Sequence, residues 1–427
     1  MSDNRIMYDI TCIGCKKESL RPFRILPRRE QPDVLQRYCP ECKYPMSKGE
    51  RLVPVDLPAI ERKKIIYLDQ NVIGNIMAAL HPDERPKQPA SVIARADAIF
   101  AKLDRLRKAQ CIVCPYSWDH RRESVVAHKY FVSLMKVYTY LANDIRFVSA
   151  FDIQKRQLAL FTEAWFQGDT SNIDYADDSV FESHPHHWYW RQENMPFSYV
   201  TYDGEADETR AIRDLFDAGL TNTYNEWREK SEEQVYQEER NGFLIWLLKC
   251  VRQITGVESY EGITRDDMAE CMNIMITLLH VLQRRGELES SKERITQMLE
   301  DKELSDKIPF IKYSAVMNMC LARRVKTKPQ PLELGEWQGE VTDISRISNY
   351  ATYCDAIFTD KYFAEQLEDD KIKRLIGGNC RFYHLKKYEC FMEYLEGIEG
   401  EYKEQIAESE KILGSIEPSF DLLGLSK

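Results

Sequence analysis

The segment Lys63-Lys-Ile-Ile-Tyr-Leu-Asp69 constrains the fold of this chain more than any other. Its short apolar run, bounded by charges, lacks the alternation of a half-solvated strand. It reads as a strand buried on both faces, the kind that parallel sheets contain. The acid closing the run, followed by Gln70 and Asn71, then stands at the carboxyl end of that strand. Open parallel sheets place their chemistry at that edge.

The flanking sequence repeats the pattern. Val72 to Leu80 has helical character, and a Pro-rich break follows from His81 to Pro89. Ser91 is then expected to cap a helix through about Lys108, with Ile93, Ala96, Ile99, Phe100 and Leu103 on its apolar face. Gln110 to Tyr116 reads as a second buried strand, with Cys111 and Cys114 as core thiols on opposite faces. Ser117 is a natural N-cap for a long helix through about Leu141. Strand, helix, strand, helix implies an α/β fold, most simply a parallel sheet.

From about 145 to 335 the alternation gives way to helices, including Asn241 to Val251 and Asp266 to Arg284. In the latter, Met268, Met272, Met275, Leu279 and Leu282 recur at helical spacing and are expected to face a core. The α/β pattern resumes with a helix from Asp343 to Tyr353 and strands at Ala356 to Thr359 and Arg381 to His384. The expected fold is an α/β parallel sheet flanked by helices, with a large all-helical insertion and a small N-terminal zinc-binding module. The expected divisions are 1–60 for a zinc ribbon-like module and 61–145 for the first half of the α/β domain. Residues 146–335 form the helical insertion, 336–400 the second half, and 401–427 a C-terminal helix and tail.

The N-terminal module rests on Cys12-Ile-Gly-Cys15 and Cys39-Pro-Glu-Cys42, two Cys-x-x-Cys knuckles with 23 residues between them. The stretch between them holds little that could form a core. Four thiolates at this spacing supply tetrahedral coordination for structural Zn²⁺. The other eight of the twelve cysteines are scattered, which suits buried thiols in a reducing compartment. Apolar residues at 43% and charged residues at 30% describe a globular protein. No apolar run approaches the ~18 residues of a membrane span, and no signal core opens the sequence, so a cytoplasmic protein without a membrane partner is expected. A formal charge of −10 argues against general coating of nucleic acid but leaves room for a locally basic cleft.

The chemistry is carried by acids. Alone, Asp69 is equally well read as a helix cap. In Ser117-Trp-Asp-His-Arg-Arg-Glu123, a helix starting at Ser117 brings Asp119, His120 and Glu123 toward the strand ends, although a charged first turn also suits the helix dipole. From Asp343, about ten helical residues descend roughly 15 Å at ~1.5 Å each. The strand from Asp355 to Thr359 climbs back roughly 16 Å at ~3.3 Å per residue. Asp360 therefore returns to the level of Asp343, and Asp355 falls near the opposite edge. Gathered carboxylates repel and raise one another's pKa. A divalent oxygen-binding cation, Mg²⁺ or Mn²⁺, is the natural compensation, and such a cation can activate water for attack on a phosphodiester.

Together the segments Tyr67-Leu-Asp69-Gln-Asn71, Ser117-x-x-His120-x-x-Glu123, Asp343 and Phe358-Thr-Asp360-Lys-Tyr-Phe363 resemble the PIN-like nucleases. The resemblance covers roughly 63–145 and 336–395. It implies a parallel α/β sheet whose Asp69, Glu123, Asp343 and Asp360 bind Mg²⁺ or Mn²⁺ and are catalytic, with Asn71, His120 and Thr359 in support. It further implies endonucleolytic hydrolysis of RNA, ahead of DNA or other single strands. Such a nuclease must be restrained in its host, by a regulatory protein partner or homo-oligomer, by the insertion acting as a lid or, by analogy with toxin and anti-phage defence nucleases that use such domains, by a trigger such as phage infection. The alternative is a non-catalytic adaptor whose zinc module and insertion engage a partner. A metal-dependent phosphatase ranks third, and no Gly-rich phosphate loop is present. His184, His186 and His187 read as a polar loop rather than a metal site. Arg121, Arg122, Arg323, Arg324 and Lys361 read as solvated charges before phosphate contacts.

Overall fold

A computed structural model describes residues 5–11, 18–24, 63–82, 88–142, 145–176, 178–182, 205–254, 263–286, 291–301, 304–329 and 338–414. Near the N-terminus, β1 (Arg5–Thr11) and β2 (Glu18–Arg24) form an antiparallel pair. Cys12, Cys15, Cys39 and Cys42, and with them the zinc expectation, lie outside the described residues, as do His184, His186 and His187.

The central sheet is built from β3 (Lys64–Leu68), β4 (Ile112–Val113), β5 (Ala356–Phe358) and β6 (Arg381–Tyr383) in the order β4-β3-β5-β6, all parallel. Two-residue alternation along β3 sends Ile65 and Tyr67 into one hydrophobic cluster and Ile66 and Leu68 into another. Burying each such side chain contributes about 1.5–3 kcal/mol. Both faces of the sheet are therefore covered, as the unalternating apolar run requires.

One face is covered by α1 (Gln70–Leu80), α2 (Ala90–Lys108), α4 (Phe131–Ala142) and α15 (Tyr388–Glu401). Between β4 and α4 lies α3 (Trp118–Val126). The long helix expected from Ser117 is thus two helices, separated by Ala127 and one 3-10 turn (His128–Tyr130). The break has a reason: α3 buries only His120, Ser124 and Val125, whereas α4 buries a full apolar face that packs on α1. Ser91 lies in the first turn of α2, where Pro89 takes the cap position. β4 is only two residues long, so Cys111 and Cys114 flank it and pack into the same cluster rather than on opposite faces.

Helices dominate the span between β4 and β5: α5 (Ala150–Gln167), α6 (Glu205–Glu226), α7 (Glu232–Ile254), α8 (Arg265–Arg285), α9 (Ser291–Leu299), α10 (Leu304–Lys307) and α11 (Pro309–Thr327). The buried face of α8 is Cys271, Ile274, Leu278 and Leu282. Of the expected stripe, Leu282 belongs to this face and Met275 and Leu279 pack against the same cluster, while Met272 is 46% exposed. α11 ties this block to the sheet. Its Phe310 and Ile311 join the core of the helical block, while Tyr313 to Val325 line the sheet's second face. That face is completed by α12 (Gln338–Tyr350), α13 (Lys361–Leu367) and α14 (Asp370–Ile376). The chain ends, as described, in α16 (Lys403–Gly414). Gln157 of α5 donates to the Tyr353 hydroxyl (3.0 Å) and accepts from the Phe310 amide (2.9 Å), fixing the helical block beside the turn that leads into β5. Among the described residues, no helix is long and apolar enough to cross a membrane.

Candidate functional site

Three adjacent strands of the sheet deliver acids to its carboxyl edge. Asp69 directly follows β3, Asp360 follows β5 after Thr359, and Glu123 lies in the second turn of α3, the helix after β4. β3 is the strand from which the chain steps first to one side, to β4, and later to the other, to β5 and β6. Crevices in open α/β sheets form at such a reversal. There a cavity of about 310 Å³ is lined by Asp69, Glu123 and Asp343, with Gln70, Asn71 and Arg346 beside them. The side chains of Met77, Tyr130 and Leu134 complete its apolar side.

The carboxylate of Asp69 resolves the ambiguity left by its position. Asp69 stands at the N-cap of α1, yet its side chain makes no cap hydrogen bond. Its Oδ1 accepts from Arg346 Nη1 (2.9 Å) and its Oδ2 from Asn71 Nδ2 (3.1 Å). Asp360 is the one that caps, with Oδ1 accepting from the Phe363 amide (2.8 Å). It does not line the cavity, but its charge is felt by Asp343. Asp343 lies in the second turn of α12, one turn further into the helix than the sequence suggests. Asp355 is at the other edge of the sheet, where its Oδ2 accepts from the Ile65 amide (2.8 Å).

Arg346 is the residue that reading the sequence missed. It is 3% exposed and stands among the acids, with Nη2 2.6 Å from Glu123 Oε2 and Nη1 3.8 Å from Asp343 Oδ1. Burial opposes its charge, but Glu123, Asp69 and Asp343 more than offset that and hold its pKa above the ordinary value. Removing it would leave buried carboxylates uncompensated, a loss of about 3–5 kcal/mol. The signal was present: Arg346 is three residues after Asp343, on the same helical face.

Compensation by one guanidinium is incomplete. Burial raises the pKa of Asp343 well above the carboxylate range, and the charges of Asp69, Asp360 and Glu123 add to this against Arg346. Burial also raises Asp360. Among the described residues, no three acidic, imidazole or thiol side chains already surround a common point for a metal ion; Arg346 stands among the carboxylates instead. The donor chemistry nevertheless fits a hard divalent cation, because every candidate ligand is an oxygen. Gln70, on the cavity wall, contributes a buried Oε1 that has no hydrogen-bond partner among the described residues.

His120 and Thr359 are placed differently from the acids. His120 is fully buried and forms a capping box with Ser117: Ser117 Oγ accepts from its amide, and its Nδ1 accepts from the Ser117 amide (3.1 Å). Its ring stacks between Tyr67 and Tyr138 at centroid distances of 4.6 and 4.4 Å. Burial, and then Arg346, press its pKa well below the ordinary value, which keeps it neutral. Its place is in the framework that aims α3, off the cavity wall. Thr359 is buried, and its amide donates to the Tyr383 carbonyl in the continuing sheet ladder (2.9 Å). The candidate phosphate contacts are mostly engaged within the fold. Arg121 pairs with Glu205, Arg323 with Glu232, Arg324 with Glu340, and Lys361 with Glu365.

No protein-family model, curated protein or solved structure matches this chain.

Proposed function

We propose that this chain is a metal-dependent endonuclease of PIN-like type, hydrolysing phosphodiester bonds of RNA or single-stranded nucleic acid. The observation that carries the reading is the convergence of acids from β3, α3 and α12 on one cavity at the carboxyl edge of a parallel sheet, with Asp360 of the next strand close by. Asp343, Asp360, Glu123 and Asp69 would hold Mg²⁺ or Mn²⁺, with Gln70 Oε1 as a further oxygen. A bound cation would supply an activated water and charge stabilisation at the phosphoryl group. Asn71 fixes the rotamer of Asp69 through its hydrogen bond. The apolar wall of Met77, Tyr130 and Leu134 excludes water from one side of the cavity. RNA ahead of DNA follows from the resemblance, and a partner or oligomer that restrains the enzyme follows from the hazard of such a nuclease to its host.

The test is cleavage of mixed RNA and DNA substrates by purified protein in Mn²⁺ and in EDTA. Cleavage should require Mn²⁺ and fall by at least about two to three orders of magnitude in the Asp69→Asn, Asp360→Asn double variant, as expected when charged groups at the reacting centre are lost. Equal cleavage by wild type and variant would overturn the reading. A second reading, a non-catalytic adaptor, draws on Arg346, which neutralises part of the acidic cluster without any metal. It predicts no Mn²⁺ bound beyond a structural zinc.

A further inference from the structure

We infer that Arg346 is a built-in second cation, which limits this site to a single divalent metal ion. The inference rests on the metal-dependent reading above and deepens it. In two-metal phosphodiester sites the ions stand ~3.5–4 Å apart and are bridged by shared carboxylates. Here the shared position is taken by the guanidinium, whose Nη1 lies 2.9 Å from Asp69 Oδ1 and whose Nη2 lies 2.6 Å from Glu123 Oε2. These two acids come from different elements, after β3 and in α3, so Arg346 does the joining that a bridging metal does elsewhere. Asp69 Oδ2 is also engaged, by Asn71. Asp343 keeps the looser contact, 3.8 Å from Nη1, and Asp360 has no ion pair with Arg346. Asp343 and Asp360 are thus the acids least committed to the guanidinium, ligands enough for one ion.

Arg346 also lines the cavity, and its buried Nε has no hydrogen-bond partner among the described residues. A buried N–H without an acceptor is unfavourable, a cost that the ion pairs with Asp69 and Glu123 offset. Lysine keeps the charge but not the fork that spans two carboxylates.

The experiment counts Mn²⁺ bound per chain by electron paramagnetic resonance and isothermal titration, on the full-length protein. Wild type should bind one Mn²⁺, Arg346→Gln two, and Arg346→Lys one with at least tenfold weaker affinity. Melting in EDTA should drop in Arg346→Gln and recover with Mn²⁺ more than wild type gains. Two ions on the wild-type protein, or a folded Arg346→Gln that still binds one, would overturn the inference while leaving the nuclease reading intact. The wild-type count decides the matter even if Arg346→Gln does not fold. A wild-type protein that binds no Mn²⁺ sinks both.

Discussion

Asp343 carries a strained charge, and that strain is measurable. Burial together with the neighbouring Asp69, Asp360 and Glu123 raises its pKa, and Arg346 reverses only part of the effect. The folded protein therefore holds a proton that the unfolded chain has already released. In EDTA, stability should fall as pH rises from about 4, the ordinary carboxylate value, through the raised folded value of Asp343. Asp343→Asn should remove part of that slope in urea midpoints measured across pH, and Mn²⁺ should suppress it in wild type. Identical slopes for wild type and variant would show that Asp343 is not the strained group. At this scale the sequence was partly legible. Helix and strand lengths put Asp360 at the level of Asp343, and Asp69 and Glu123 could each be placed near a strand end from their own segments. Arg346 was signalled only by its helical spacing from Asp343, and a lone arginine in a polar helix looks like solvated surface until its burial is known.

The elements that aim these side chains depend on a few polar contacts. Ser117 caps α3 and also meets the Tyr67 hydroxyl at 3.0 Å, so one small residue joins the helix of Glu123 to the strand of Asp69. Ser117→Ala should cost about 1 kcal/mol through the cap and about as much again through the stranded hydroxyl. Urea denaturation reads this directly, and a cost below about 0.5 kcal/mol would mean the cap is dispensable. The cap itself was legible, since Ser117 precedes the helix just where a side-chain acceptor is needed. The break after Val126 was not, because no proline or glycine marks it and only the packing of α4 on α1 demands a turn there. The same limit applies in α8, where packing centres the buried face on Cys271, Ile274 and Leu278 and keeps Leu282, Met275 and Leu279 of the expected stripe at its margin. Two stripes a third of a turn apart are equally periodic, and the partner surface decides between them.

Across the whole molecule, the sheet and its helical partners are one assembly, held on the same face by α11 and by the α5 contact to Tyr353. The four N-terminal cysteines belong to a separate question, answered by metal content. Purified protein should carry one zinc per chain by elemental analysis, and Cys39→Ser should release it while leaving the main melting transition in place. Loss of the whole fold together with the zinc would show instead that the module is integral to the core. A parallel sheet could be read from the unalternating strand at 64–68. Its strand order could not, because nothing in residues 145 to 335 says on which side of β3 the chain will return.

That order has a consequence in time. β3 pairs with a strand whose first contacts lie 290 residues further on, as the Ile65 amide and Asp355 show. At about 5–20 residues per second on the ribosome, the partner strand arrives roughly 15–60 s after β3 has been made. Throughout that interval β3 has one open edge, a template for pairing with other chains, and non-local closure of this kind is slow even once the strand is available. Asp69 and Glu123 also wait for Arg346, which follows them by 277 and 223 residues. A growing chain can therefore carry Asp69 and Glu123 without the rest of the cluster, and the four acids come together only once translation has passed residue 360.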